Sequence, residues 1–156
     1  MEMALLVLGL GNDLLGDDGI GLMAAEALDR RNIPGIYVVK SPLSGLYIVD
    51  LVEGFDDLII VDSVIGDQPG KVVRLPLDEL GPQNAPSAHY LGFAEALNLA
   101  KRAGVRIPNR VEILAMQIHA SQVFGTRVSD EVVAGLPALM EEVMRVARLW
   151  GYEVGP

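Results

Sequence analysis

Met3-Ala-Leu-Leu-Val-Leu-Gly-Leu-Gly-Asn-Asp-Leu-Leu-Gly-Asp-Asp-Gly-Ile-Gly21 is the stretch on which the fold turns. Met3 to Gly9 is an apolar run closed by glycine, the pattern of a strand buried on both faces of a parallel sheet. Gly19 to Arg31 then reads as a helix. Ile20, Met23, Ala24, Ala27 and Leu28 fall on one side and Asp29, Arg30 and Arg31 on the other, until Pro34 and Gly35 break the pattern. A strand, a glycine-rich turn and a helix in that order open an α/β fold.

The same alternation continues along the chain. Ile36 to Lys40 makes a second strand, Ser44 to Val52 a short helix, and Leu58 to Asp62 a third strand. Lys71 to Leu75 is short, alternating and bracketed by Pro69-Gly70 and Pro76, which suits an edge strand. Leu80 to Pro86, with Gly81, Pro82 and Pro86, reads as a loop. Ala88 to Ala103 has helix composition with Ser87 as its cap, and Arg110 to Gln117 is a further strand. Ser129 caps a long final helix to about Trp150, with Glu131, Glu141 and Glu142 early to middle and Arg145 and Arg148 late. There is no internal repeat, linker or low-complexity tract. The expectation is one domain over residues 1–156, a three-layer α/β sandwich with a twisted, mostly parallel sheet of about five strands flanked by helices.

Bulk properties narrow the function. Hydrophobic residues make up 51% of the 156, yet no apolar run approaches the roughly 18 residues that a membrane span requires. The first residues lack a basic region and run straight into Gly-Leu-Gly-Asn, so they read as a strand and not a signal peptide, and a cytoplasmic protein is expected. A net charge of -9 repels phosphate backbones, which disfavours nucleic acid as a partner. The absence of cysteine excludes disulfides, thiolate zinc sites and a cysteine nucleophile.

Carboxylates, hydroxyls, lysines and two histidines remain for chemistry. Asp18 lies in the first turn, Asp62 closes Leu58-Ile-Ile-Val-Asp62, and His89 opens the helix after the proline-rich loop. If the apolar runs are neighbouring strands, these three converge beyond the carboxyl ends of the sheet, where open α/β folds bind ligands. Two carboxylates and an imidazole form an incomplete shell for nickel, zinc, iron or manganese, with positions left for substrate or water. Simpler roles stand beside each. Asp17 and Asp18 are favourably placed at a helix amino terminus, worth about 0.3–1 kcal/mol apiece. Asp62 suits an Asx turn into Ser63, and His89 suits a solvated first helical turn. His119, after the last strand, is a reserve candidate.

Nucleotide motifs fail. Gly9-x-Gly11 continues with Leu14 where a dinucleotide fingerprint needs glycine, and two acids occupy the helix terminus that would receive the pyrophosphate. Gly66 to Lys71 is one residue short of a P-loop and is followed by Val72. There is also no Gly-x-Ser-x-Gly elbow and no His-Glu-x-x-His.

Taken together, the Gly9–Gly21 motif, Leu58-Ile-Ile-Val-Asp-Ser63 and His89 resemble the hydrogenase maturation endopeptidases, which process the large subunit of nickel-iron hydrogenases. The resemblance covers nearly the whole chain. It implies a twisted, mostly parallel sheet between helices, with Asp18, Asp62 and His89 as the metal-binding and catalytic residues. It also implies removal of a carboxy-terminal extension from the large-subunit precursor once nickel is inserted. The nickel would come with the substrate, while another divalent ion in the free enzyme stays open. Two mechanisms stay open as well: polarisation of the scissile carbonyl, or activation of a bound water with a carboxylate as base.

One segment departs from the family pattern. An Asp-Gly-Gly-Thr-x-Gly segment is usual after the second strand, and this chain has Lys40-Ser-Pro-Leu-Ser-Gly45. Lys40 either reverses a charge at the cleft or simply ends a strand in solvent. The altered segment motivates an alternative, a non-catalytic nickel-sensing chaperone or docking protein for the large subunit.

Overall fold

Four parallel strands and one antiparallel strand form a single sheet in the order β2-β1-β3-β5-β4. The computed structural model describes residues 3–12, 15–42, 47–77, 90, 92–119, 124–125 and 127–155. The strands are β1 (Leu5–Leu10), β2 (Ile36–Ser41), β3 (Asp57–Ile65), β4 (Val72–Leu75) and β5 (Arg110–Ile118). β1 pairs in parallel with β2 and β3, and β3 pairs in parallel with β5. β4 runs antiparallel along the outer side of β5, as its short alternating sequence leads one to expect.

The helices are α1 (Ile20–Asp29), α2 (Tyr47–Val52), α3 (Phe93–Arg102), α4 (Asp130–Ala134) and α5 (Leu136–Leu149). Side chains alternate across each strand, which splits the core into two apolar layers. Leu5, Val7, Ile59, Val61, Leu114 and Met116 pack towards α1 and α5. Leu6, Leu8, Leu10, Leu58, Ile60 and Ile113 pack towards α2 and α3. This is the expected three-layer sandwich. β1 is buried at all six positions, in keeping with its unbroken apolar run.

Several boundaries differ from the sequence reading. β3 does not end at Asp62: it continues through Ser63 and Val64 to Ile65, because β5 still offers Ala115 to Ile118 for pairing. α1 is preceded by a 3-10 turn over Gly16–Gly19, whose opening Gly16 has φ of 56°, a conformation natural to glycine. α3 as described runs from Phe93, directly after Gly92, whose φ of 77° is outside the helical range. The capping role expected of Ser87, the Leu80–Pro86 loop, the 43–46 segment and His89 lie outside the described residues.

The long final helix is in fact two. Pro137 falls in the first turn of α5, where its missing N–H costs nothing. A helix running through it would lose the bond to Val133 and meet that carbonyl with its ring. Ser129 precedes α4 but makes no capping bond with its side chain; its hydroxyl donates to Asp17 at 3.0 Å.

Candidate active site

The alternation of β3 distributes the site chemistry. Asp62 shares parity with Leu58 and Ile60 and so faces the layer of α2 and α3, whereas Ser63 shares parity with Ile59 and Val61 and faces α1. The 3-10 turn ahead of α1 delivers Asp18 to that second side. The Ser63 hydroxyl donates to Asp18 Oδ1 at 2.7 Å, and the Ser63 N–H donates to Asp62 Oδ1 at 2.7 Å. One residue thus grips both acids.

The remaining oxygens are also held. Asp18 Oδ2 accepts the Asn12 N–H at 2.9 Å, and Asp62 Oδ2 accepts the Tyr90 hydroxyl at 3.0 Å. Asp62 is fully buried and Tyr90 nearly so, while Asp18 remains partly open to solvent. Burial, followed by the charge of Asp62, pushes the Tyr90 phenol well above its ordinary range, so it stays a protonated donor. A carboxylate oxygen has two lone pairs, so the single bond described at each oxygen of Asp18 leaves room there for a ligand. Partners of this kind orient carboxylates that bind metal.

Close backbone packing makes this arrangement possible. A Cβ on Gly21 would meet the Leu10 carbonyl oxygen, Val61 O at 2.6 Å and the Asp62 Cα at 3.1 Å. α1 therefore lies directly on the backbones of β1 and β3, which brings Asp18 within reach of Ser63.

Other candidates take different roles. Asp17 accepts the Ser129 N–H at 2.6 Å and the Ser129 hydroxyl at 3.0 Å, so it ties the first turn to the start of α4. This contact gives Asp17 a structural part across 112 residues of chain. His119 is exposed, with Nε2 2.7 Å from Glu131 Oε1. Lys40 is half exposed, with Nζ 3.8 Å from Glu26 Oε2. Among the described residues no three metal-capable side chains converge, and no helix is long and apolar enough to cross a membrane.

Ser63 and Tyr90 were not singled out as functional by sequence reasoning. Each neighbours a candidate, in Val-Asp62-Ser63 and His89-Tyr90, and a polar residue beside an acid in an apolar strand is the one local signal available.

Comparison with known proteins adds independent evidence. The family model described as hydrogenase maturation protease matches residues 23–146. The hydrogenase expression/formation protein HupD of Rhizobium leguminosarum bv. viciae is 31% identical, over 96% of this chain and 77% of its own length. Hydrogenase 2 maturation protease of Escherichia coli (strain K12) is 30% identical over 99% of this chain and 96% of its own. The solved structure of the hydrogenase maturating endopeptidase HybD from E. coli matches with a TM-score of 0.80 at 29% identity, covering 97% of this chain and 96% of that one. Matches of this extent, on a mostly parallel sheet of the same fold, place the chain in the hydrogenase maturation protease family.

Proposed function

We propose that this protein is a cytoplasmic endopeptidase that removes the carboxy-terminal extension of a nickel-iron hydrogenase large-subunit precursor after nickel insertion. The observation that carries the reading is the clasp of Asp18 and Asp62 on a single serine beyond the last β1 pairing of the sheet. Two oriented carboxylates suit a transition-metal ion presented by the substrate. His89 is the imidazole that completes the set in this reading, next in sequence to the tyrosine that anchors Asp62. Nickel then belongs to the substrate, and its arrival licenses cleavage. Within the site Asp62 is held by Ser63 and Tyr90, and Asp18, the more open of the two, has freedom to meet the incoming ion or to accept a proton from an attacking water.

The test is a cleavage assay on two forms of the precursor, read by intact mass. Nickel-loaded precursor should lose its tail and nickel-free precursor should stay whole; equal trimming of both defeats the nickel-sensing reading. Cleavage of nickel-free precursor that appears only when another divalent ion is added points instead to an ion resident in the protein. Asp18→Ala and His89→Ala should slow cleavage by about 100-fold or more while the proteins remain folded by circular dichroism. Normal cleavage by either variant removes that residue from the site.

A further inference from the structure

A cavity of about 520 Å³ opens beside the Asp18 turn, within the size range of ligand pockets. It lies between α1 and the end of β2. Leu22, Met23 and Val128 supply apolar wall, Glu26 and Lys40 supply charge, and Asn12 forms part of the lining. Asn12 is also the residue whose N–H holds Asp18 Oδ2. The cavity therefore adjoins the turn that carries Asp18.

One acid and one base line the cavity, Glu26 and Lys40. Glu26 accepts from Arg30 Nη2 at 2.8 Å through Oε1, and Lys40 approaches Oε2 at 3.8 Å. Glu26 is thus already engaged by Arg30, which lies outside the lining, and Lys40 is the cation that the lining presents. The Lys40 contact is long and both side chains are half exposed, which makes it a weak pair that an arriving carboxylate can displace. An apolar slot with an available ammonium at its mouth fits a peptide segment that carries both an apolar side chain and a carboxylate.

We infer that this cavity seats the substrate's carboxy-terminal extension, with an apolar side chain among Leu22, Met23 and Val128 and a carboxylate of the same segment on Lys40. The inference rests on the peptidase reading above and names how its substrate is held. The carboxylate comes either from an acidic side chain or from the chain terminus. Lys40 is then a specificity-determining residue that takes no part in the chemistry.

The experiment uses the full-length protein, the nickel-loaded precursor, and synthetic peptides of the precursor tail in three forms: free acid, carboxy-terminal amide, and free acid with every acidic side chain replaced by its amide. Lys40→Glu should raise KM for the precursor by about tenfold or more with kcat within about twofold, and Lys40→Arg should restore it. In anisotropy titrations of the wild type, the peptide that has lost the relevant carboxylate should bind about tenfold more weakly, and that difference should vanish against Lys40→Gln. Weakening of the amidated form identifies the terminus as the source, and weakening of the side-chain form identifies an acidic residue. Equal binding of all three peptides, or an unchanged KM for Lys40→Glu, overturns the inference. If the wild type fails to cleave the precursor yet binds its tail in a Lys40-dependent manner, the cavity assignment stands and the peptidase reading falls. If Lys40→Glu cleaves with an unchanged KM, the peptidase reading stands and the cavity assignment falls. Thermal unfolding checks that each variant is folded, which the half-exposed position of Lys40 on an edge strand favours.

Discussion

Tyr90 shows how a buried hydroxyl helps to hold an acid in an otherwise apolar strand. Asp62 is completely buried, and its two oxygens take the Ser63 N–H and the Tyr90 O–H. Tyr90→Phe removes one of these donors and should cost about 1–3 kcal/mol at neutral pH, measurable by urea unfolding. The same bond sets an alkaline limit. A free phenol ionises near 10 and the folded Tyr90 ionises well above that, so beyond pH 10 the unfolded chain sheds the proton first. The stability that Tyr90 contributes is therefore complete below pH 10 and is lost as pH rises through its folded value. Wild type and Tyr90→Phe should differ most near pH 7 and approach one another above pH 10; curves that stay parallel across that span would show that Tyr90 does not titrate in this way. At this level the sequence disclosed the acids but not their supports. Asp18 and Asp62 stand out because each interrupts glycine or hydrocarbon, whereas Ser63 reaches across 45 residues to Asp18 and Tyr90 across 28 to Asp62, distances over which no local pattern operates.

α1 depends on Gly21 for its closeness to the sheet, and Asp18 depends on α1 for its place. A methyl at position 21 would run into backbone from both β1 and β3, atoms that cannot swing aside as a side chain end can. Gly21→Ala should cost about 1–3 kcal/mol through overpacking. It should also lift the Asp18 turn away from Ser63, so cleavage of nickel-loaded precursor should fall by more than the loss of folded protein explains. Unchanged turnover by the folded variant would show that the Asp18–Ser63 contact tolerates movement of α1. The elements themselves were largely readable, since strands buried on both faces leave unbroken apolar runs and α1 keeps a helical stripe. What escaped were the boundaries set by contacts between elements. β3 outlasts Asp62 because β5 goes on pairing with it, and helix-forming composition on either side of Gly135 conceals the break that Pro137 imposes. Gly135 is itself hemmed in by tertiary packing, as a Cβ there would approach Met116 Cε at 2.8 Å.

Because four of the five strands point the same way, the two ends of the sheet can be given over to different tasks, and β3 carries an acid at each. Asp57 and Asp62 are five residues apart, roughly 16 Å along the strand. Asp57 is buried at the amino end, where it accepts Arg110 Nε at 2.7 Å, Arg110 Nη2 at 2.9 Å and the Tyr152 hydroxyl at 2.5 Å. The Arg110 guanidinium also donates to Trp150 O at 3.2 Å and lies 5.1 Å from the centroid of its ring. Residues after α5 are thereby fastened to the base of the sheet, far from the paired acids. Asp57→Asn keeps the shape but removes the charge that the bidentate pair requires. Arg110 is 42% exposed and regains water, so the cost should fall below that of a fully buried pair, at about 1–3 kcal/mol. Urea unfolding should register this loss, while kcat on nickel-loaded precursor, measured well below the unfolding midpoint, should match the wild type. Asp18→Ala should show the opposite pattern, with cleavage slowed by about 100-fold or more and a loss of about 1–2 kcal/mol from its two hydrogen bonds that leaves the protein folded under assay conditions. A folded Asp57→Asn protein that cleaves slowly would mean that the base of the sheet is coupled to the chemistry at its top, and the division of labour between the two ends would have to be abandoned.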